Sequence, residues 1–167
     1  MTRLRSFAPA LILVLSLGVS PAAAAGPPEH VFFMAEPVEF LPGDVCEFGV
    51  LAEPIRSRGH QATFPEDADG TVQVRITGKW FVRVTNTATG ASVVRNMTGP
   101  VDYWFYADGT AASLNRGHSL GYLFSFEEGG PALWYQSGPI LWAVDTDGLF
   151  SVVRQRGVSE DLCQTLG

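Results

Sequence analysis

From Val72 to Thr85 the chain alternates apolar and polar residues one by one, and no other feature constrains its fold as tightly. Val72, Val74 and Ile76 alternate with Gln73, Arg75 and Thr77; past Gly78, the series Trp80, Val82, Val84 alternates with Phe81, Arg83 and Thr85. A side-chain period of two is that of a half-buried strand, because successive Cβ atoms point to opposite faces of a sheet. Turn-forming residues punctuate such runs: Asp69-Gly70, the stretch 85–90, Gly99-Pro100, Asp108-Gly109, the stretch 127–131, Gly138-Pro139 and 145–148. Their spacing is that of antiparallel hairpins. The expectation is an all-β chain of about eight to ten strands between residues 44 and 157, forming a closed or nearly closed barrel. A two-sheet sandwich is the alternative. A short helix is expected to close the chain, with Ser159 as N-cap and Leu162, Cys163 and Leu166 on one face.

The three Asp-Gly pairs fall at 69, 108 and 147, each 39 residues from the next. The same offset superposes Gly78 on Gly117 and Gly99-Pro100 on Gly138-Pro139. Shared hairpin metre explains this at least as well as an internal duplication, since nearly all matching positions are turn residues.

Arg3 and Arg5 precede an apolar run of about 13 residues, and Ala23-x-Ala25 offers a small-residue cleavage site, the pattern of a secretory signal peptide over residues 1–25. The run falls short of the roughly 20 residues that span a bilayer. Residues 26–167 then form a single secreted, extracellular domain. Without the leader the chain keeps nine basic and seventeen acidic residues, and Lys79 is its one lysine. That balance argues against nucleic acid and anionic membrane surfaces, which need clustered cations. Cys46 and Cys163, the two cysteines, are expected to form a disulfide, as an exported pair does in an oxidising compartment.

Gly117-His118-Ser119-Leu120-Gly121 spells the G-x-S-x-G pattern of a hydrolase nucleophile elbow. A true elbow joins a parallel strand to a helix, with its histidine later in the chain. Here the sequence continues as strand through Leu120, Tyr122, Phe124 and Phe126, and the histidines, His30, His60 and His118, all precede Ser119. The glycines read better as a bend at Gly117 and a bulge at Gly121. No catalytic residue, metal ligand or cofactor is therefore expected. A small hydrolase using His118 and Ser119 is kept as an alternative, as is a purely structural secreted protein. The Asp145–Gly148 stretch lacks the first and last ligands of a calcium loop, where Ala143 and Arg154 stand, and reads as a turn. Glu127-Glu128 lacks the geometry of an acid/base pair. Asn96-Met97-Thr98 matches a glycosylation sequon, but the alanine-rich, arginine-biased composition reads as bacterial, which would make the match idle.

Aromatic residues crowd both strand faces in 79–81, 101–106 and 133–142. Trp80, Tyr103, Trp104, Trp134 and Trp142 are the candidate ligand-binding residues. The competing account buries this second face under the segment 30–42 and the closing helix. A signal peptide, "CEFGV", "VTNTATGASV", "RGHSLGYLF", "GGPALWYQSG" and a terminal "DLCQTLG" together resemble a family of small secreted actinobacterial proteins. The resemblance implies export, one disulfide and a β fold, and carries over no functional residue. The reading is a monomeric binding module for a small apolar ligand or an envelope protein.

Overall fold

The computed structural model describes residues 26–167; the expected signal peptide lies outside the described residues. Twelve antiparallel strands run in chain order: β1 (Glu29–Phe33), β2 (Val38–Phe40), β3 (Val50–Thr63), β4 (Val72–Asn86), β5 (Ser92–Asn96), β6 (Val101–Phe105), β7 (Ala111–Asn115), β8 (His118–Leu123), β9 (Ala132–Ser137), β10 (Ile140–Val144), β11 (Phe150–Gln155) and β12 (Val158–Asp161). Helix α1 (Leu162–Leu166) ends the chain. The larger sheet has the order β1-β3-β4-β6-β7-β10-β11, with β2 paired to β3 and β5 to β4; the smaller is β12-β9-β8. The ladder stops at β1 and β11 in one sheet and at β8 and β12 in the other, so no closed barrel forms among the described residues.

Nine strands, β3 to β11, fall between residues 44 and 157, within the expected range of about eight to ten, and β1, β2 and β12 lie outside that span. β5 and β6, β7 and β8, β9 and β10, and β11 and β12 are halves of longer strands, each broken by a bend. Glycine marks every bend: Gly59 pairs with Gly78 across β3 and β4, Gly99 lies on Gly117, and Gly138 lies on Gly157. Gly117 also accepts a hydrogen bond from the Gly138 N–H. A crease of glycines thus crosses the molecule, because backbones that close leave no room for Cβ atoms. Gly99-Pro100 and Gly138-Pro139, expected to turn hairpins, belong to this crease instead. Pro54 sits mid-strand in β3 beside a register shift between Pro54 and Arg56, where its missing N–H breaks no regular ladder.

The Asp-Gly turns behave as expected, and their metre is structural. In each, an N–H two or three residues into the loop closes on a carbonyl: Gly70 to Asp67, Gly109 to Tyr106 and Gly148 to Asp145. All three glycines have positive φ, which a residue without a Cβ adopts at no steric cost. Two long strands and their two connections recur every 39 residues, which accounts for the repeated offset.

On one side of the crease the two sheets face each other around the core. Val50, Ala52, Val82 and Val84 from β3 and β4 pack with Leu133 of β9 and with Leu162 and Leu166 of α1. Burying each such side chain contributes about 1.5–3 kcal/mol. The helix starts later than expected: Asp161 is the N-cap, its carboxylate accepting from Gln164 N–H, while Ser159 still pairs in β12. Cys163 on α1 is bonded to buried Cys46 in the loop after β2, across a Cα–Cα distance of 5.5 Å. The segment 30–42 does not lie over a sheet face. It supplies the edge strands β1 and β2, and only Phe33 and Phe40 turn inward, onto Trp80 and the core respectively.

Candidate functional site: a cleft in a forked sheet

β6 and β7 are paired neighbours, yet their continuations β5 and β8 are not. A Cβ on Gly99 would lie 2.5 Å from the Gly117 Cα, so both positions exclude any larger residue where these strands meet. The last bond between them runs from His118 N–H to the Thr98 carbonyl. Beyond it β5 stays with β4 and β8 leaves with β9. The fork encloses a cleft of about 280 Å³. Its walls come from three directions: Ala52, Trp80 and Val82 of the larger sheet, Val38 and Phe40 of β2, and Leu120 and Tyr122 of β8. Val38 and Tyr122 are also exposed to solvent and mark the mouth. A second bay of about 170 Å³ shares Tyr103, Asn115 and Ser119 with the first and extends to Trp142 and Phe150.

The polar groups in this apolar setting are few. Asn115, about nine-tenths buried at the end of β7, accepts a hydrogen bond at Oδ1 from the Gly117 N–H at 3.0 Å. A backbone N–H can only donate, so this bond fixes which end of the amide is oxygen and leaves Nδ2, with two protons, facing away from it. Nδ2 has no protein partner among the described residues, nor is it sealed from the cleft. Tyr103 stands beside it on the same wall. Burial, assisted by the neighbouring Tyr122, pushes its phenol above the usual value and keeps it protonated.

His118 is oriented by a relay. The Tyr135 hydroxyl is 3.1 Å from the Asn96 carbonyl and 2.7 Å from His118 Nδ1. Its single proton goes to the carbonyl, which can only accept, so His118 must donate from Nδ1 and keeps the lone pair on Nε2 when neutral. Burial raises the Tyr135 phenol too, with Glu160 adding to the effect and Arg95 opposing it. Ser119 Oγ and Trp80 Nε1 belong to residues of the cleft walls but are buried, without a partner among the described residues.

Of the five aromatic candidates, Trp80 and Tyr103 line the cleft and Trp142 lines the second bay. Trp104 and Trp134 line neither. Trp104 follows Tyr103 on β6 and therefore points to the opposite face, where it lies across from Gln73. Trp134 stacks on Trp142 with centroids 5.5 Å apart, and its ring rests on Gly121. That contact corrects the expected bulge: Gly121 pairs in regular register with Trp134, and glycine is there to seat the indole. Asn115 was missed by sequence reasoning, although an amide inside an apolar strand is itself a signal, since asparagine is depleted from strands.

The elbow pattern resolves in the same place. His118 and Ser119 are neighbours on β8 and share no hydrogen bond; the histidine is engaged by Tyr135 and the serine by nothing. His30 and His60 lie in β1 and β3, stacked on each other with Nδ1 and Nε2 3.0 Å apart. Phe124 and Phe126 fall beyond β8, in the turn to β9. Glu127 there is a backbone acceptor, taking N–H bonds from Phe124 and Phe150 and tying this turn to β11. Among the described residues no three His, Cys, Asp or Glu side chains gather as a metal site, and no helix is long and apolar enough to cross a membrane. Comparison with family models, curated proteins and solved structures finds no match to this chain.

Proposed function

We propose that the protein is an exported, non-catalytic binding module that holds a small, mainly apolar molecule in the forked cleft. The observation that carries this reading is the fork itself. A sheet that stays zipped would keep β8 beside β5, whereas here the strands part at two touching glycines, β8 crosses over the inner face of β2, β3 and β4, and an apolar, partly buried cavity lies between them, open to solvent through Val38 and Tyr122. Cavities of a few hundred cubic ångströms with apolar walls and a few convergent polar groups are the usual form of small-molecule sites. Export is supported by the Cys46–Cys163 disulfide, which persists in oxidising compartments. A catalytic role for Ser119 has less support, because the serine–histidine hydrogen bond that activates such a nucleophile is missing.

Native mass spectrometry of the protein isolated from its producing cells tests this directly, alongside titration with the apolar fluorophore N-phenyl-1-naphthylamine. The expected result is a non-covalent adduct lost on denaturation, and fluorophore binding weakened at least fivefold by Val38→Trp, which fills the mouth without touching the core. A bare protein that also leaves the fluorophore unbound would overturn the reading.

A further inference from the structure

Resting on that reading, we infer the chemical class of the ligand: a neutral apolar molecule carrying a hydrogen-bond acceptor of the carbonyl type, received by the side-chain amide of Asn115. Three observations converge. First, the amide is oriented before any ligand arrives. Gly117 N–H holds Oδ1, so the free Nδ2–H₂ is a fixed donor at the seam between the two bays, and swapping its ends would leave the Gly117 N–H facing a donor. Open to the cleft, the amide is hydrated when the site is empty; a hydrocarbon displaces that water and leaves the donor unpaired, whereas a ligand acceptor takes the water's place.

Second, Tyr103 lines both bays together with Asn115, and its phenol is a neutral donor. Third, no lysine or arginine lines either bay, and the one carboxylate at the main cleft is that of exposed Glu36. A ligand carboxylate would enter a low-dielectric site lined by no lysine or arginine, where His118, its Nδ1 already engaged by Tyr135, is the one side chain able to become a cation and where Glu36 would repel it. An ammonium ion would meet the Asn115 amide protons with its own. A ketone, ester or lactone oxygen suffers neither conflict.

The test compares three ligands of nearly one shape, 2-acetylnaphthalene, 2-ethylnaphthalene and 2-naphthoate, by competition with N-phenyl-1-naphthylamine at pH 7.5. The ketone should bind at least tenfold more tightly than the hydrocarbon, although it is the less hydrophobic of the two, and the carboxylate most weakly. Asn115→Asp keeps the oxygen that accepts from Gly117 N–H and replaces the donor, so it should erase the ketone's advantage while the protein stays folded by circular dichroism. Tyr103→Phe should reduce the same advantage without altering hydrocarbon binding. Equal or tighter binding of the hydrocarbon to the unaltered protein overturns the acceptor inference and leaves the binding reading standing. Preference for the carboxylate overturns the inference as well. Failure of all three ligands, and of the fluorophore, overturns both.

Discussion

Gly121 shows how one missing methyl group can decide a local structure. A Cβ there would stand 2.5 Å from Trp134 Cε2, and Trp134 is held from its other side by Trp142. Gly121→Ala should therefore displace the indole and cost about 1–3 kcal/mol, the usual range for overpacking. A lowered melting temperature with altered tryptophan fluorescence would show it; an unchanged spectrum would mean that the ring does not rest on the glycine. Asp102 poses the complementary problem of a fully buried charge. Arg75 donates to Oδ1 at 2.6 Å, Gln73 donates to the same oxygen, and Arg116 donates to Oδ2. Loss of water pushes this carboxyl up, but the two guanidinium hydrogen bonds and charges outweigh it and hold the group below its ordinary value. A depressed folded-state pKa contributes stability above the unfolded value near 4 that is lost as pH falls through the folded one. Asp102→Asn should cost about 2 kcal/mol at neutral pH, discounted because both guanidinium groups are half exposed. Its penalty should shrink as pH falls below about 4, where Asp102 protonates first in the unfolded chain and only at lower pH in the folded protein. A penalty independent of pH would show that the carboxylate charge is not what matters.

Among the elements, the glycine crease sets the shape. Gly117→Ala would push a Cβ into the Gly99 Cα at 2.5 Å and toward the Thr98 carbonyl, backbone atoms that cannot rotate aside. The expected cost is about 3 kcal/mol, or roughly 6–12 °C of melting temperature for a chain of this size, with weaker fluorophore binding because the fork is pried apart. Retained stability and binding would mean that the strands do not need to touch. The strands themselves and the Asp-Gly turns were legible in the sequence, because period two and a glycine at positive φ have few alternative meanings. The crease was not. Gly99-Pro100 carries the same letters whether a chain reverses or merely bends, and the difference lies in whether the following strand finds its partner in register. Which aromatic residues reach the cleft was likewise hidden: Tyr103 and Trp104 are adjacent and must face opposite ways, but the side holding the cleft depends on how the two sheets fold over each other.

For the whole molecule, the decisive link is between the last strands and the first. The core beyond the crease is built from segments far apart in sequence: Val45 and Val50 near the start of the described chain, Leu162 and Leu166 at its end. Asn86 reinforces the closure, donating from Nδ2 to the Leu166 carbonyl. Two sheets joined only through the crease, packing and a few side-chain bonds could separate by swinging apart about the glycines, which would expose the cleft. The disulfide opposes that motion, tying α1 to the loop after β2 across 117 residues of sequence. In the chain-entropy argument a crosslink closing so long a loop stabilises by about 4–5 kcal/mol, an amount comparable to the total stability of many domains of this size. Replacing both cysteines by serine should therefore lower the melting temperature by roughly 10 °C or more. It should also make protection against hydrogen exchange fall first in β8, β9 and β12, with β3 and β4 retaining theirs longest, since the smaller sheet then keeps only packing and side-chain bonds such as Tyr135–Asn96 and Arg95–Glu160 to hold it. Uniform loss of protection across both sheets would show instead that the molecule opens as one unit and that the crease is not a hinge.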